Sequence, residues 1–121
     1  MSYTLAAASD VESVMDADYG AMWFLRDALA TEDLGVTILE LEPGARGKEH
    51  DHDHDGQEEV YVCVRGLVDV DFDGGADAEG GETVRLAENE AVRVSAGQTR
   101  QLQNRGDERA KLVLVGTTAD A

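Results

Sequence analysis

Residues 44–66 read Gly-Ala-Arg-Gly-Lys-Glu-His-Asp-His-Asp-His-Asp-Gly-Gln-Glu-Glu-Val-Tyr-Val-Cys-Val-Arg-Gly, and they hold all three histidines of this 121-residue chain, followed at once by Glu58 and Glu59. Side chains alternate along an extended segment with a period of two, so His50, His52 and His54 share one face if this stretch is a strand. Imidazole nitrogen together with carboxylate oxygen suits zinc, iron, nickel, copper or manganese. It suits a packed core poorly, because each ring there would need its own hydrogen-bond partner. The competing reading is a solvated acidic turn that happens to carry histidines.

Outward from this stretch, short apolar or alternating runs are separated by turn residues, the pattern of a β-sandwich or barrel. Val36-Thr37-Ile38-Leu39-Glu40-Leu41 is β-branched and stops at Pro43-Gly44, and Val60-Tyr61-Val62-Cys63-Val64 ends at Gly66. In residues 67–73, Val68, Val70 and Phe72 alternate with three aspartates, which predicts one dry and one wet face. The run from Gly74 to Gly81, with four glycines, is then a hairpin loop. Further strands are expected at 83–86, 91–94, 99–103 and 111–115, divided by Glu88-Asn89-Glu90, Ala96-Gly97 and Arg105-Gly106-Asp107.

Upstream, residues 21–26 are expected to form an early strand carrying the only tryptophan, with Trp23 and Phe24 in the core or at a subunit interface. A short helical turn opened by Ser9 or Asp10 is expected within 9–19. The length suits one domain, with 1–33 as an N-terminal segment of the same unit and 34–118 as the barrel.

Charge narrows the partners. Acidic residues outnumber basic ones 26 to 10, a formal net charge of -16, and such a surface repels nucleic acid and anionic membranes. Lys48 and Lys111 are the only lysines against eight arginines, a bias similar to that of proteins from salt-accumulating halophiles. At molar salt a Debye length of about 3 Å would screen the self-repulsion. No apolar run approaches a membrane span and the N-terminus reads as no secretion signal, so a cytoplasmic location is expected. The single cysteine, Cys63, sits in an apolar run and reads as a small core residue rather than a catalytic thiol, since burial would raise its pKa.

These residues resemble the cupin superfamily, small all-β proteins built as a double-stranded β-helix, or jelly-roll, barrel and marked by two motifs. The first family motif is glycine, five residues, His-x-His, three or four residues, glutamate, six residues, glycine. Gly44, five residues and His50-Asp51-His52 match its first half, and Glu59, six residues and Gly66 match its second. The six residues from Asp53 to Glu58 overrun the spacer between them. The other register, His52-Asp53-His54 then Glu59, restores the spacer but puts Arg46 where the glycine belongs. The first register with a small insertion is preferred, because an enlarged turn is cheaper than a displaced glycine after Pro43. His54 then sits in the widened turn, able to swing into the site or remain solvated.

The second motif is glycine, five residues, Pro-x-Gly, two residues, histidine, three residues, asparagine. It is similar to the frame Asn89, Ser95-Ala96-Gly97, Arg100, Asn104, with arginine standing where the family places its last metal-ligating histidine. A guanidinium stays protonated and cannot coordinate a cation. The resemblance therefore implies a divalent transition metal (Zn, Fe, Mn or Ni) on His50, His52 and Glu59, with His54 as a possible further ligand. Arg100 would then either bind a ligand carboxylate or phosphate bidentately, or pair with Glu59 and leave the site without metal. If Glu59 points inward, alternation turns Tyr61 and Cys63 inward as well, and Tyr61 and Gln57 become candidate ligand contacts. Glu58 is expected in solvent, and Asn104 is expected to brace a turn. The Asp51, Asp53, Asp55 run is no EF-hand: counting from Asp51 places Gly56 at the sixth position but Val62 at the twelfth.

The expected function is that of a small metal-binding cupin, a homodimer by resemblance, that takes a small anionic ligand and has no clear catalytic machinery. The alternatives are a metal-dependent dioxygenase or isomerase acting on a small carboxylate-bearing substrate, and a metal-free ligand-binding barrel.

Overall fold

The computed structural model of the protein describes residues 2–117, so position 118 of the expected barrel lies outside the described residues. Eight strands and one short helix follow in the order β1 (Gly20–Phe24), α1 (Arg26–Leu29), β2 (Leu34–Leu41), β3 (Glu59–Arg65), β4 (Val68–Phe72), β5 (Glu82–Leu86), β6 (Ala91–Val94), β7 (Arg100–Gln103) and β8 (Ala110–Thr117). Two antiparallel sheets form, one ordered β1-β2-β8-β3-β6 and the other β5-β4-β7. This is the expected all-β jelly roll. Among the described residues no helix is long and apolar enough to cross a membrane.

The inward positions follow the period of two. Leu39, Leu41, Tyr61, Cys63 and Leu112 from the larger sheet meet Val68, Val70 and Leu102 from the smaller one, all buried. Cys63 is fully buried among them, and burial pushes its thiol up, as suits a core residue. β1 pairs along its whole length with β2, from Gly20 opposite Leu41 to Phe24 opposite Thr37. A Cβ at Gly20 would lie 1.9 Å from the Glu40 carbonyl oxygen, which explains the glycine at the start of this strand.

Two local expectations are corrected. The helical turn within 9–19 is a single 3₁₀ turn at Ala8–Asp10, and the chain instead forms α1 after β1, ended by Ala30 in a left-handed conformation. The face of β4 expected to be wet is covered: Asp69 and Asp71 are each only 4% exposed. Arg85 donates to Asp69, Arg105 donates to both aspartates, and Thr83 and Gln103 donate to Asp71. Alternation chose the face correctly, but long arginines from neighbouring segments roof it.

Candidate metal centre and cavity

The histidine segment is held as an extra extended strand beside β7. Backbone bonds run from Gly44 N to Asn104 O, Asn104 N to Ala45 O and Gly47 N to Leu102 O, then in both directions between His50 and Arg100, and finally from His52 N to Ala96 O. That ladder sets His50 directly opposite Arg100 and keeps His50 and His52 in the two-residue repeat of an extended chain. Asn104 braces the adjoining turn, donating from Nδ2 to the Leu41 and Glu108 carbonyls and accepting from Gly106 N.

After His52 the chain turns. Asp55 N and Gly56 N both donate to the His52 carbonyl, with Gly56 at φ 68°, and β3 then begins at Glu59. The six-residue spacer is this turn. It leaves His54 at the edge of the adjoining cavity, with its side chain 78% exposed and its Nε2 3.6 Å from Asp55. His50, His52 and Glu59 instead converge, each offering one ligand-type atom within 4.8 Å of the others.

Both rings are oriented from behind. His50 Nδ1 lies 2.9 Å from the Lys48 carbonyl, which can only accept, so Nδ1 carries the proton and Nε2 faces Glu59 Oε1 at 3.6 Å. His52 Nδ1 lies 3.1 Å from Asp55 Oδ2, and its Nε2 stands 3.3 Å from the same Glu59 oxygen. An outer acceptor on one nitrogen of each ring, with the other nitrogen directed at a common point, is how metal-ligating histidines are held.

Glu59 Oε1 also accepts from Tyr61 Oη at 2.7 Å and from Arg100 Nη2 at 2.5 Å. Burial alone would raise the Glu59 pKa. The bonds from His50, Tyr61 and Arg100 and the charge of Arg100 overcome it and bring the value down to about 2. The same bond to Glu59 raises His50 above the ordinary histidine value against the opposing effect of burial. Burial, followed by the Glu59 charge, pushes the Tyr61 phenol well above its usual value.

Of the two roles expected for Arg100, the structure shows pairing with Glu59 and not a side chain open to ligand. Arg100 is wholly buried, its Nε donates to Tyr61 Oη, and its Nη1 donates to the Ser95 and Gln98 carbonyls. It lies behind Glu59, off the cavity wall. The cavity itself has a volume of about 680 Å³, and His50, His52, Glu59, Tyr61 and Gln57 all line it. Its apolar wall includes residues that sequence reasoning did not assign to a site, chiefly Met22 and Phe24 of β1 and Leu114 of β8, on the same sheet as Glu59 and Tyr61. Phe24 is not in the core but 53% exposed at this cavity. Only the register of β1 against β2, which sets Met22 opposite Leu39, could have revealed that wall.

Solved structures with this architecture include a sugar phosphate isomerase from the cupin superfamily of Silicibacter pomeroyi, 24% identical, with TM-score 0.68 over 89% of this chain and 69% of that one. A cupin 2 conserved barrel domain protein from Salinispora arenicola is 16% identical, with TM-score 0.76 over 99% of this chain and 92% of that one. An oxalate decarboxylase from Lactobacillus farciminis is 19% identical, with TM-score 0.75 over 92% of this chain, which spans only 32% of the decarboxylase. No curated protein sequence matches the chain. The family model for the cupin domain matches residues 37–116, which take in the histidine segment, Glu59 and Arg100, and the chain therefore belongs to the cupin family.

Proposed function

We propose that this cupin binds a divalent transition metal at His50, His52 and Glu59 and presents it to a small anionic ligand in the adjoining cavity. One observation carries the reading. Two imidazoles, each tied through Nδ1 to an acceptor, direct Nε2 at a carboxylate held ionised. With neutral rings, lone pairs would face an anion, and a cation among them resolves the conflict. Two histidines and one carboxylate are a donor set that suits Zn, Fe, Mn or Ni and leaves positions open. Such a metal would supply a Lewis-acid centre. Hydrogen bonds from Tyr61 and Arg100 converge on Oε1, which leaves Oε2 of Glu59 available for coordination.

Binding without turnover is the reading the side chains favour. Tyr61 holds its proton far above neutral pH and Glu59 loses its own far below, so neither shuttles protons near neutrality. The reading includes a homodimer, supported by the outer face of the larger sheet. There Trp23, Ile38, Val113 and Val62 follow one another across β1, β2, β8 and β3. Sedimentation equilibrium tests that part, and a monomer at all concentrations would reject it. Elemental analysis of protein purified without an affinity tag or added metal tests the centre. Stoichiometric transition metal is expected, and a metal-free protein that also fails to take up cobalt(II) would overturn the assignment.

A further inference from the structure

The cavity is lined unevenly. Its polar groups gather around His50, His52, Glu59 and Tyr61, whereas Met22, Phe24, Leu39, Leu102 and Leu114, drawn from β1, β2, β7 and β8, form an apolar wall beside them, with Leu114 paired next to Tyr61 and Phe24 farther across the same sheet. At about 680 Å³ it falls within the roughly 300–1,000 Å³ of sites that enclose small organic ligands. Phe24 shows that this wall is bare. Paired opposite Thr37 and two residues from Met22, it lies on the inward face of its sheet, yet it is 53% exposed. An inward aromatic left open at the end of a barrel is apolar surface that a ligand can cover.

The charges limit the polar part of that ligand to one site. Arg100, the cation nearest the centre, is taken up by Glu59, Tyr61 and two carbonyls, so it has no bidentate face left for a second carboxylate. The cations that do line the cavity, Arg26 and Lys48, are exposed and stand with Asp27 and Asp51. Glu59 and Arg100 cancel one another. A bound divalent cation would therefore make the centre net positive and favour an anionic group directly on the metal.

We infer that the ligand is amphipathic, an anionic head of carboxylate type on the metal joined to an apolar body lying against Met22, Phe24, Leu39, Leu102 and Leu114. The head rests on the metal reading given above. The seat for the body is a property of the cavity alone.

The test is titration calorimetry of the full chain loaded with cobalt(II), using acetate, butyrate, hexanoate and octanoate, with malonate as a compact dianion. Affinity rises about threefold for each added methylene, as expected for apolar surface leaving water. Octanoate then binds at least about tenfold more tightly than malonate. A flat series, or malonate binding as well as octanoate, overturns the inference. In Phe24→Asp, and in the milder Leu114→Thr should the first not fold, the octanoate-to-acetate affinity ratio falls several-fold toward unity; an unchanged ratio in a folded variant overturns the inference. Octan-1-ol offered to metal-free protein separates the two readings. If cobalt fails to bind but octanol binds and is lost in Phe24→Asp, the metal assignment falls and the apolar seat stands. If octanol does not bind, the seat falls whatever cobalt does.

Discussion

Arg100 donates through Nη2 to Glu59 Oε1 at 2.5 Å from a side chain that is wholly buried. The pair joins β7 to β3 across the inside of the barrel, and Tyr61 links both partners by accepting from Arg100 and donating to Glu59. Removing one member of a buried ion pair strands the other. Arg100→Met, similar in length and without charge, leaves a mostly buried carboxylate with two fewer stabilising charges or bonds and frees two backbone carbonyls. A loss of about 3 kcal/mol in unfolding free energy is expected. Urea denaturation measures it, and a loss below about 0.5 kcal/mol would show that the pair adds nothing net.

Arg100→His asks a different question of the same position. The His50 backbone is bonded in both directions to Arg100, so a residue here starts beside the histidine pair. An imidazole would add a fourth donor and remove a positive charge near the metal. Cobalt(II) affinity is expected to rise by at least about tenfold, a change of about 1.4 kcal/mol, read from competition with a chelating dye. Unchanged affinity would mean that this side chain does not approach the metal.

The histidines divide two to one. His50→Ala and His52→Ala each remove a converging nitrogen and are expected to abolish the tetrahedral or five-coordinate cobalt absorption at stoichiometric metal. His54→Ala removes an exposed ring that points to Asp55, and it is expected to change cobalt affinity less than about twofold. If His54→Ala proved as damaging as the other two, the alternative histidine register would be the working one.

What the residues disclosed in advance, and what they concealed, divides by range. The strands were legible because each apolar run stops at a local signal, Pro43-Gly44 after β2 and Gly66 after β3. Gly66 has φ 79°, and a Cβ there would meet Ala110 Cα at 3.2 Å, so the signal reflects real crowding. The grouping of His50 and His52 with Glu59 came from the resemblance to the first cupin motif, since the two-residue repeat alone left His54 on the same face. Arg100 was ambiguous because its partner lies 41 residues away, and nothing local distinguishes an arginine that meets ligand from one that meets Glu59. The roof over β4 was hidden in the same way, since Arg85 and Arg105 stand 16 and 36 residues from Asp69. That Phe24 lies outside the core was hidden because its exposure depends on where β1 sits in the sheet, a property of the whole fold.

That roof predicts how stability responds to acid. The bond from Arg105 is the main cause holding Asp71 below its ordinary value of 3.8, with burial opposing it; for Asp69 the bond from Arg85 comes first and Arg105 adds to it. Both carboxyls are therefore more acidic folded than unfolded. Their contribution is complete above the unfolded value near 3.8 and is lost as pH falls through the lower folded values. Arg105→Ala leaves two buried carboxylates with fewer donors. Because the Arg105 side chain is itself 43% exposed, the cost at neutral pH is set at about 1–2 kcal/mol after allowing for solvent screening. The folded pKa values then rise, so the variant has less stability to lose on acidification and the gap from wild type narrows below about pH 4. Urea unfolding at pH 7, 5, 4 and 3 tests this. A gap that stays constant across the series would assign the loss to packing of the arginine stem rather than to its charge.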